Sequence, residues 1–430
     1  MAPTRGPRSI RVRAYHVGFG DCFLLSFYYT SPAEQASPAD QRHVLIDFGT
    51  RKLPESAAKG HFLKIAQNIK EECERGEGKL HALVVTHRHS DHLSAFGDSK
   101  VYPILKGLSP GVVIQPWTED PKLPTDATGP LKSLTASQTY VRYLSDQGLL
   151  AQGLLKEGRW LADADAATCR QLAFLGEENL KNLNAVKNLQ KIAPPEKHRY
   201  VYYGSESGLE EVLEGVKTMV LGPPTLEQYP TLKKDKTKCE AEYWRLCLST
   251  PGRGQAGRHQ LFSAAAARSK PPAYARWFVD RAKMVRSNQL LELVRNLDEA
   301  LNNTSVILLF EIGDKCLLFP GDAEVGNWSY ALFEAVDKDA RREQLAGVTL
   351  YKVGHHGSMN ATPKTLWATF ENKGKKKQFT TLMSTMAGVY TGPGEIPRGK
   401  LVAELQAKST YITTEKTPSG EFFQDVIIQA

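Results

Sequence analysis

The feature that most constrains this chain is a group of potential metal ligands that directly follows a short apolar run. Residues 80–86 predict a buried strand. Side chains on a loop at the end of a strand are aimed by the sheet behind them. Imidazole and carboxylate groups so placed suit Zn²⁺, Mn²⁺ or iron. The chain has 11 histidines among 430 residues, so three within this segment predict a metal site rather than a surface loop. The four candidate ligands are His87, His89, Asp91 and His92.

Strand and helix signals alternate before this motif. Residues 11–29 predict two strands around a tight turn, and residues 43–48 predict a third strand. Residues 61–75 carry apolar side chains at helical spacing, and Gly76 can end that helix. The order of strand, helix and strand indicates an α/β fold, with the histidine motif at the end of its last strand.

Three blocks can be distinguished along the whole chain. Residues 1–115 and 303–430 are rich in short apolar runs separated by turn signals. Residues 116–302 contain helix-like runs, of which 283–301 is the clearest. We therefore predict two halves of one α/β fold that meet in space, with a largely helical insertion between them.

Composition narrows the class of protein further. The chain is 41% hydrophobic, which suffices for a sizeable core, and its formal net charge of +8 favours polyanionic partners. Its six cysteines are scattered without a C-x-x-C pair, as is typical of a reducing cytoplasm. The sequence contains no apolar stretch of about 18 residues, so we predict no membrane span.

Four segments resemble, in the same order, the motifs of the metallo-β-lactamase superfamily. The histidine motif is similar to the superfamily signature H-x-H-x-D-H. Asp47 resembles an early aspartate at a strand end, and Asp322 resembles the aspartate that bridges two metals. Residues 355–358 resemble the final histidine motif. The resemblance implies an αβ/βα sandwich, with two mixed sheets inside, helices outside and the metals at one edge.

Within this superfamily, the chain is most similar to the hydrolase domain of bacterial competence DNA-uptake proteins. Residues 16–22 resemble that group's V-G-x-G-D motif, and residues 321–324 and 352–358 match two further runs. The resemblance covers the first and last blocks and leaves residues 116–302 unmatched. It implies two divalent metal ions, Zn²⁺ or Mn²⁺, as cofactors.

The resemblance also implies a role for each matching residue. Asp47 would support the metal-binding imidazoles from behind, and Ser358 would either contact substrate or serve as a turn residue after Gly357. A further histidine ligand, which many superfamily members have, could only be His198 or His259. The sequence does not distinguish which residue of the final histidine pair binds metal. The metal ligands would be His87, His89, Asp91, His92, Asp322, His355 and His356, and the catalytic residues Asp91, Asp322, His355 and His356.

Three functions are compatible with this pattern. The first is a phosphodiesterase or nuclease that acts on DNA or RNA through a hydroxide held between two metals. The second is a hydrolase of a small phosphorylated molecule or nucleotide. The third is an effector subunit of a bacterial defence complex, which needs a protein partner bound through residues 116–302 to become active.

Overall fold

A computed structural model describes residues 6–30, 40–122, 183–229, 301–358, 360, 362–390 and 395–430. The chain divides into two units. The first comprises residues 1–142, 181–229 and 300–430. The second comprises residues 143–180 and 230–299, which lie outside the described residues.

The first sheet has seven strands in the order β13-β1-β2-β3-β4-β5-β6. Strands β13, β1, β2 and β3 pair antiparallel, whereas β3, β4, β5 and β6 pair parallel. The sheet is therefore mixed. Its strands are β1 (Ser9–Tyr15), β2 (Cys22–Tyr28), β3 (Gln41–Phe48), β4 (Ala82–Val84), β5 (Val112–Pro116), β6 (His198–Val201) and β13 (Phe423–Gln429).

The second sheet has six strands in the order β12-β11-β10-β9-β8-β7. Strands β7, β8 and β9 pair antiparallel, and β9, β10, β11 and β12 pair parallel, so this sheet is mixed as well. Its strands are β7 (Lys217–Gly222), β8 (Ile307–Ile312), β9 (Lys315–Phe319), β10 (Leu350–Lys352), β11 (Thr380–Met383) and β12 (Thr410–Thr413).

Eight α-helices occur in the described residues, and the longest confirms a prediction from sequence. The helix predicted over 61–75 spans His61–Glu74 and buries Ile65, Ile69 and Cys73 at helical spacing. The helices are α1 (His61–Glu74), α2 (Ser90–Leu93), α3 (Val101–Gly107), α4 (Leu183–Leu189), α5 (Val325–Ser329), α6 (Lys338–Ala346), α7 (Lys364–Thr369) and α8 (Gly399–Lys408). No helix in this described part of the chain is both long enough and apolar enough to cross a membrane.

Alternation of side chains along the strands places the core between the two sheets. Phe23 and Phe27 of β2 point to the second sheet, where their rings lie 6.0 Å from Phe319 and 6.3 Å from Phe310. The opposite faces pack on helices, with Ile65 of α1 against the first sheet and Leu405 of α8 against the second. The expected α/β class with two mixed sheets is confirmed.

Residues 198–222 differ from the largely helical insertion predicted for residues 116–302. They contribute β6 to the first sheet and β7 to the second. These short runs carry little periodicity of their own, and pairing with β5 and β8 stabilises them as strands. The helix predicted over 283–301 lies outside the described residues apart from its last residue.

Candidate metal centre

The loop that carries the histidine motif is fixed by the strand beside it. Thr86 follows β4 and donates from its backbone N to Asp47 Oδ1 over 2.7 Å and from its hydroxyl to Asp47 Oδ2 over 2.8 Å. Asp47 itself has a φ of 56°, in the left-handed region. α2 begins directly after His89. All four candidate ligands of the motif are buried: His87, His89, Asp91 and His92.

Two neighbouring loops pack their backbone directly on α2. A Cβ atom on Gly49 would lie 2.3 Å from Ser90 O, and one on Gly20 would lie 2.8 Å from Asp91 O. Asp21 donates its backbone N to Asp91 O over 2.9 Å. Glycine is therefore required at both positions so that these loops can hold the backbone of Asp91 in place.

Four buried side chains from both sheets converge near this loop. One ligand atom of each lies within 4.8 Å of every other, and the four are Asp91, His92, Asp322 and His356. The Nε2 atom of His356 is 3.0 Å from Asp91 Oδ2 and 3.7 Å from Asp322 Oδ2. The Nε2 atom of His92 is 3.1 Å from Asp322 Oδ2. Zn²⁺ bonds of about 2.0–2.2 Å place neighbouring ligand atoms roughly 3–3.5 Å apart, so this spacing suits a coordination shell.

The second ring nitrogen of each imidazole has a partner that orients the ring. His92 Nδ1 lies 2.8 Å from Asp47 Oδ2 and donates to it. His356 Nδ1 donates to the backbone carbonyl of Ser384 over 2.9 Å. In each ring Nδ1 is thereby engaged outside the cluster, so Nε2 is the nitrogen directed into it.

His87 and His89 form a second pair of donors beside this cluster. His87 Nε2 lies 2.9 Å from His89 Nδ1, a separation at which both nitrogens can bind one cation. The His87 ring also lies 4.2 Å from that of His92, which makes the two groups adjacent. Burial, followed by the neighbouring histidines, holds the pKa of His87 well below its usual value. The neutral imidazole is the form that binds metal.

The cluster is strongly charged for a buried region. Burial alone would lower the pKa of His92, but the carboxylates of Asp322, Asp47 and Asp91 raise it well above the ordinary value. Burial likewise opposes ionisation of Asp322, yet His92, His356 and other nearby cations hold its pKa well below its usual range. The surroundings therefore stabilise the ionised carboxylate, which is the form that binds a cation.

The carboxylates keep capacity for a further ligand. Asp91 Oδ1 and Asp322 Oδ2 are buried and accept no hydrogen bond from the residues that the structure describes. A buried acceptor without a donor costs about 1–3 kcal/mol. Divalent cations would occupy these acceptors, so the side chains present fit a metal centre.

The final histidine pair lies in strained backbone. His355, His356 and Gly357 have φ values of 42°, 51° and 81°. Left-handed conformations at residues other than glycine persist where the surrounding structure enforces them, and they are frequent at functional sites. Here the turn directs the His356 ring inward, where it lies 4.5 Å from the ring of Phe19.

The structure separates the roles of the two final histidines. His356 belongs to the cluster, whereas His355 lies at its rim with a side chain that is 13% exposed. His355 Nδ1 lies 3.5 Å from Glu324 Oε1, and Nε2 lies 4.0 Å from Asp322 Oδ2. Ser358 is buried next to this turn and donates its backbone N to His355 O, but no described contact joins its side chain to the cluster.

His198, one of the two additional histidines considered from sequence, does not join the centre. His198 lies half-buried on β6, where its Nε2 atom contacts Ala193 O at 3.2 Å. It belongs to neither group of candidate ligands found among the described residues. His259 lies outside the described residues.

Three charged side chains at the centre were missed as site residues. Asp21 and Lys352, the last residue of β10, are each 1% exposed and form an ion pair. Arg51 Nε lies 3.1 Å from Asp91 Oδ2. A signal was present for two of them, because Asp21 and Lys352 stand inside the motifs at 16–22 and 352–358. Charged side chains are almost never buried unless they are paired, so a charged residue at the end of a short apolar strand indicates a buried partner of opposite charge.

The basic stretch at 373–377 lies at the other end of the second sheet. It precedes β11, which runs parallel to β10, whereas His355 and His356 follow the carboxyl end of β10. Lys373 and Lys376 donate to carbonyls at Ala368 O and Gln406 O, 3.1 and 2.8 Å away. These lysines thus satisfy carbonyls at or near the ends of α7 and α8 and lend no support to substrate binding at the centre.

No protein-family model matches this chain, and neither does any curated protein. A buried group of imidazoles and carboxylates, with protons held on the outer ring nitrogens and open acceptors within, can bind divalent cations.

Proposed function

We propose that this chain is a metal-dependent hydrolase that uses two divalent cations, Zn²⁺ or Mn²⁺, in an αβ/βα sandwich of the metallo-β-lactamase type. The observation that carries the proposal is the buried group of Asp91, His92, Asp322 and His356, whose ligand atoms lie within 4.8 Å of one another. Every member of this group comes from one of the motifs that resemble the superfamily. Their convergence in space supports the resemblance beyond what each motif supports alone.

The candidate ligands divide into two sets, one for each of two adjacent cation positions. His87 and His89 would hold one cation, and Asp91, His92 and His356 would hold the other. Asp322, whose Oδ2 atom faces His92 and His356, would contribute to both positions. Two bound cations lower the pKa of a water molecule and neutralise the negative charge that develops during hydrolysis.

Residues of this chain perform the remaining tasks. Asp47 and the Ser384 carbonyl keep the Nδ1 protons of His92 and His356 in place, which preserves the ligand tautomers. His355, at the rim and supported by Glu324, is placed to touch a substrate oxygen. The ring of Phe19 covers His356 and shields that side of the centre from water.

The charge balance favours a phosphate-containing substrate. The four buried carboxylates of the centre are offset in part by the cations Lys352 and Arg51. Two divalent cations would turn this remaining negative charge into a positive one, which attracts anions. The net charge of +8 acts in the same direction over a longer range. We therefore propose phosphodiester hydrolysis, with DNA or RNA as the substrate.

The proposal is tested by incubating plasmid and single-stranded DNA with the purified chain and Mn²⁺ or Zn²⁺. A His87→Ala/Asp322→Ala variant should bind less metal and lose cleavage. A His198→Ala variant is the matched control, because it removes a histidine that lies outside the centre, and it should cleave like the wild type. Metal content is measured on all three proteins.

The result also separates the remaining functions. Cleavage of small phosphate esters without cleavage of DNA would replace the nucleic-acid substrate by a small phosphorylated molecule. Bound metal with no hydrolysis of either substrate would contradict an enzyme that acts alone. Absence of bound metal in the wild type would overturn the metal centre itself.

A further inference from the structure

A second group of potential ligands lies directly behind the metal centre. Asp21, Asp47 and His92 are buried, and one ligand atom of each lies within 4.8 Å of the others. His92 faces this second pocket with Nδ1 and the metal centre with Nε2. By composition and spacing the second pocket could hold another cation.

A side chain of the protein already supplies a cation here. Lys352 reaches from β10 with its ammonium group, forms an ion pair with Asp21 Oδ2 and donates to Gly321 O over 3.1 Å. The same Nζ atom lies 3.5 Å from Asp322 Oδ1. The ammonium group is therefore buried between two carboxylates.

The contacts of Asp322 are divided between its two oxygens. Oδ1 faces Lys352 and accepts a hydrogen bond from the backbone N of His355 over 3.0 Å. Oδ2 faces the Nε2 atoms of His92 and His356. The ammonium group and the His355 amide thus hold one oxygen, so the other is presented to the metal ligands.

We propose that Lys352 is the resident cation of the Asp21–Asp47 pocket, where it takes the place of a metal ion and positions Asp322. The inference rests on the metal centre proposed above but does not depend on its substrate. Lys352 is a positioning residue, because it acts through Asp21 and Asp322.

The chemistry of His92 explains why an ammonium suits this pocket better than a metal. A metal ion beside Asp21 and Asp47 would compete for His92 Nδ1, which carries the proton donated to Asp47. Coordination through both ring nitrogens would require loss of that proton. An ammonium group accepts no lone pair, so it balances the charge of the carboxylates and leaves the Nδ1 proton of His92 in place.

The ion pair also connects the two sheets. Asp21 lies between β1 and β2 of the first sheet, and its carbonyl accepts a hydrogen bond from Gly49 N over 3.1 Å. Lys352 ends β10 of the second sheet. Through Asp21 and Asp322, a single ammonium group therefore links the ligand-bearing loops of both sheets.

The test compares Lys352→Met, Asp21→Asn and the Asp21→Asn/Lys352→Met double variant with the wild type. The first readout is the Tm of the metal-free proteins. Lys352→Met leaves Asp21 as an uncompensated buried carboxylate and should lower the Tm by about 5 °C, and the double variant should recover most of that loss. Lys315→Met, which removes a lysine from an exposed ion pair on β9, is the charge-matched control and should change the Tm little.

The second readout is the number of Zn²⁺ ions per chain, measured after equilibration and removal of free metal. Lys352→Met should bind one ion more than the wild type, because the pocket is left with its ligands and without its cation. The double variant and Lys315→Met should bind the wild-type number. A merely structural role for Lys352 would not change this number.

Each outcome decides one part of the inference. If Lys352→Met binds no more metal than the wild type, Lys352 does not take the place of a metal. If the double variant is as unstable as Lys352→Met, the pairing with Asp21 is not what Lys352 supplies. If the wild type binds no metal while Lys352→Met binds one ion, the proposed function fails and the resident cation stands.

Discussion

Two buried groups of charged side chains in this fold differ in how their charges are matched. The arginine cluster (Arg11, Arg13, Glu72 and Asp425) lies between β1, β13 and α1. Arg13 binds Glu72 over 3.0 Å and Asp425 over 2.7 Å, and Arg11 also pairs with Glu72. The metal centre has more carboxylate oxygens than the described donors can satisfy.

This difference distinguishes a group that stabilises the fold by itself from a group that is suited to binding a ligand. In the arginine cluster, Arg11 and Arg13 hold the pKa of Glu72 below its usual value although burial opposes this. The charges are complete without any additional ion. In the metal centre, Asp91 Oδ1 accepts no hydrogen bond from the described residues and Asp322 Oδ2 faces two histidine nitrogens, so a bound cation would occupy both oxygens. We expect substitutions in the first group to act without metal, and those in the second to act through metal.

The largest effect is expected at the carboxylate shared by both arginines. Glu72→Gln should lower the free energy of unfolding by about 3 kcal/mol, because it leaves the largely buried guanidinium group of Arg11 without its anion and removes one of the two anions of Arg13. Denaturant unfolding with and without EDTA measures this loss, which should be equal in both conditions. Glu74→Gln, on the exposed face of the same helix, is the control and should cost no more than about 0.5 kcal/mol. A loss of stability that appears only when metal is bound would contradict the expected difference between the arginine cluster and the metal centre.

A matching change in the metal centre should differ in its dependence on metal. In the metal-free protein, Asp322→Asn should lower the free energy of unfolding by up to about 3 kcal/mol, because Lys352 and His92 lose an anion that faces them. It should abolish the stabilisation by Zn²⁺, which for the wild type is about 2.7 kcal/mol at a free concentration of 100 times Kd. Thermal unfolding across a Zn²⁺ series measures both values. Asp314→Asn, at an exposed turn, should keep the full response to Zn²⁺. An undiminished response in Asp322→Asn would remove Asp322 from the ligand set.

Acid should lower the free energy of unfolding, because a buried histidine lies beside the arginine cluster. His43 contacts Ser26 Oγ at 3.0 Å, and burial, followed by the charge of Arg11, lowers the pKa of His43 to about 4. The unfolded chain takes up this proton near pH 6.5 and the folded chain does not, so stability is lost as pH falls from 6.5 towards 4. Between pH 6.5 and 5 the loss attributable to His43 is about 1.5 kcal/mol.

His43→Gln tests this prediction, because glutamine does not titrate. The difference in unfolding free energy between wild type and variant should shift with pH in favour of the variant below pH 6.5. His61→Gln, on the less buried start of α1, is the comparison. A difference between His43→Gln and wild type that is constant from pH 7 to 5 would contradict the assignment.

The smallest effect is expected at Thr86, which contacts Asp47, the residue that orients His92. Thr86→Val keeps the shape of the side chain but removes the hydroxyl that donates to Asp47 Oδ2. We expect a loss of about 1 kcal/mol in stability and about tenfold in Zn²⁺ affinity, because Asp47 then orients His92 less firmly. A competition titration with a chelator measures the affinity. Thr410→Val, at an exposed position on β12, should bind Zn²⁺ like the wild type. Equal affinity in Thr86→Val would show that Asp47 does not need this hydroxyl.

Local patterns were sufficient for much of the fold. The helix predicted over 61–75 is present as α1, because its apolar side chains recur on one face and bury themselves there. The strands β6 and β7 were missed, since runs of four and six residues acquire strand structure only by pairing with β5 and β8.

The sequence by itself determined which groups could bind a cation. His87, His89, Asp91 and His92 lie within one short segment after a strand, and chain connectivity alone brings such residues together. It also marked Asp322 and the final histidine pair as candidate partners of this segment through their motifs.

Only the tertiary structure decided how these groups are arranged. Pairing of β9 with β10 in one sheet and of β3 with β4 in the other brings Asp322 and His356 beside Asp91. The left-handed turn at residues 355–357 places His356 in the cluster and His355 at its rim. The pairing of Asp21 with Lys352 joins residues more than 300 positions apart. The physical reason is that burial and charge pairing depend on which side chains share a space, and the packing of the two sheets settles this.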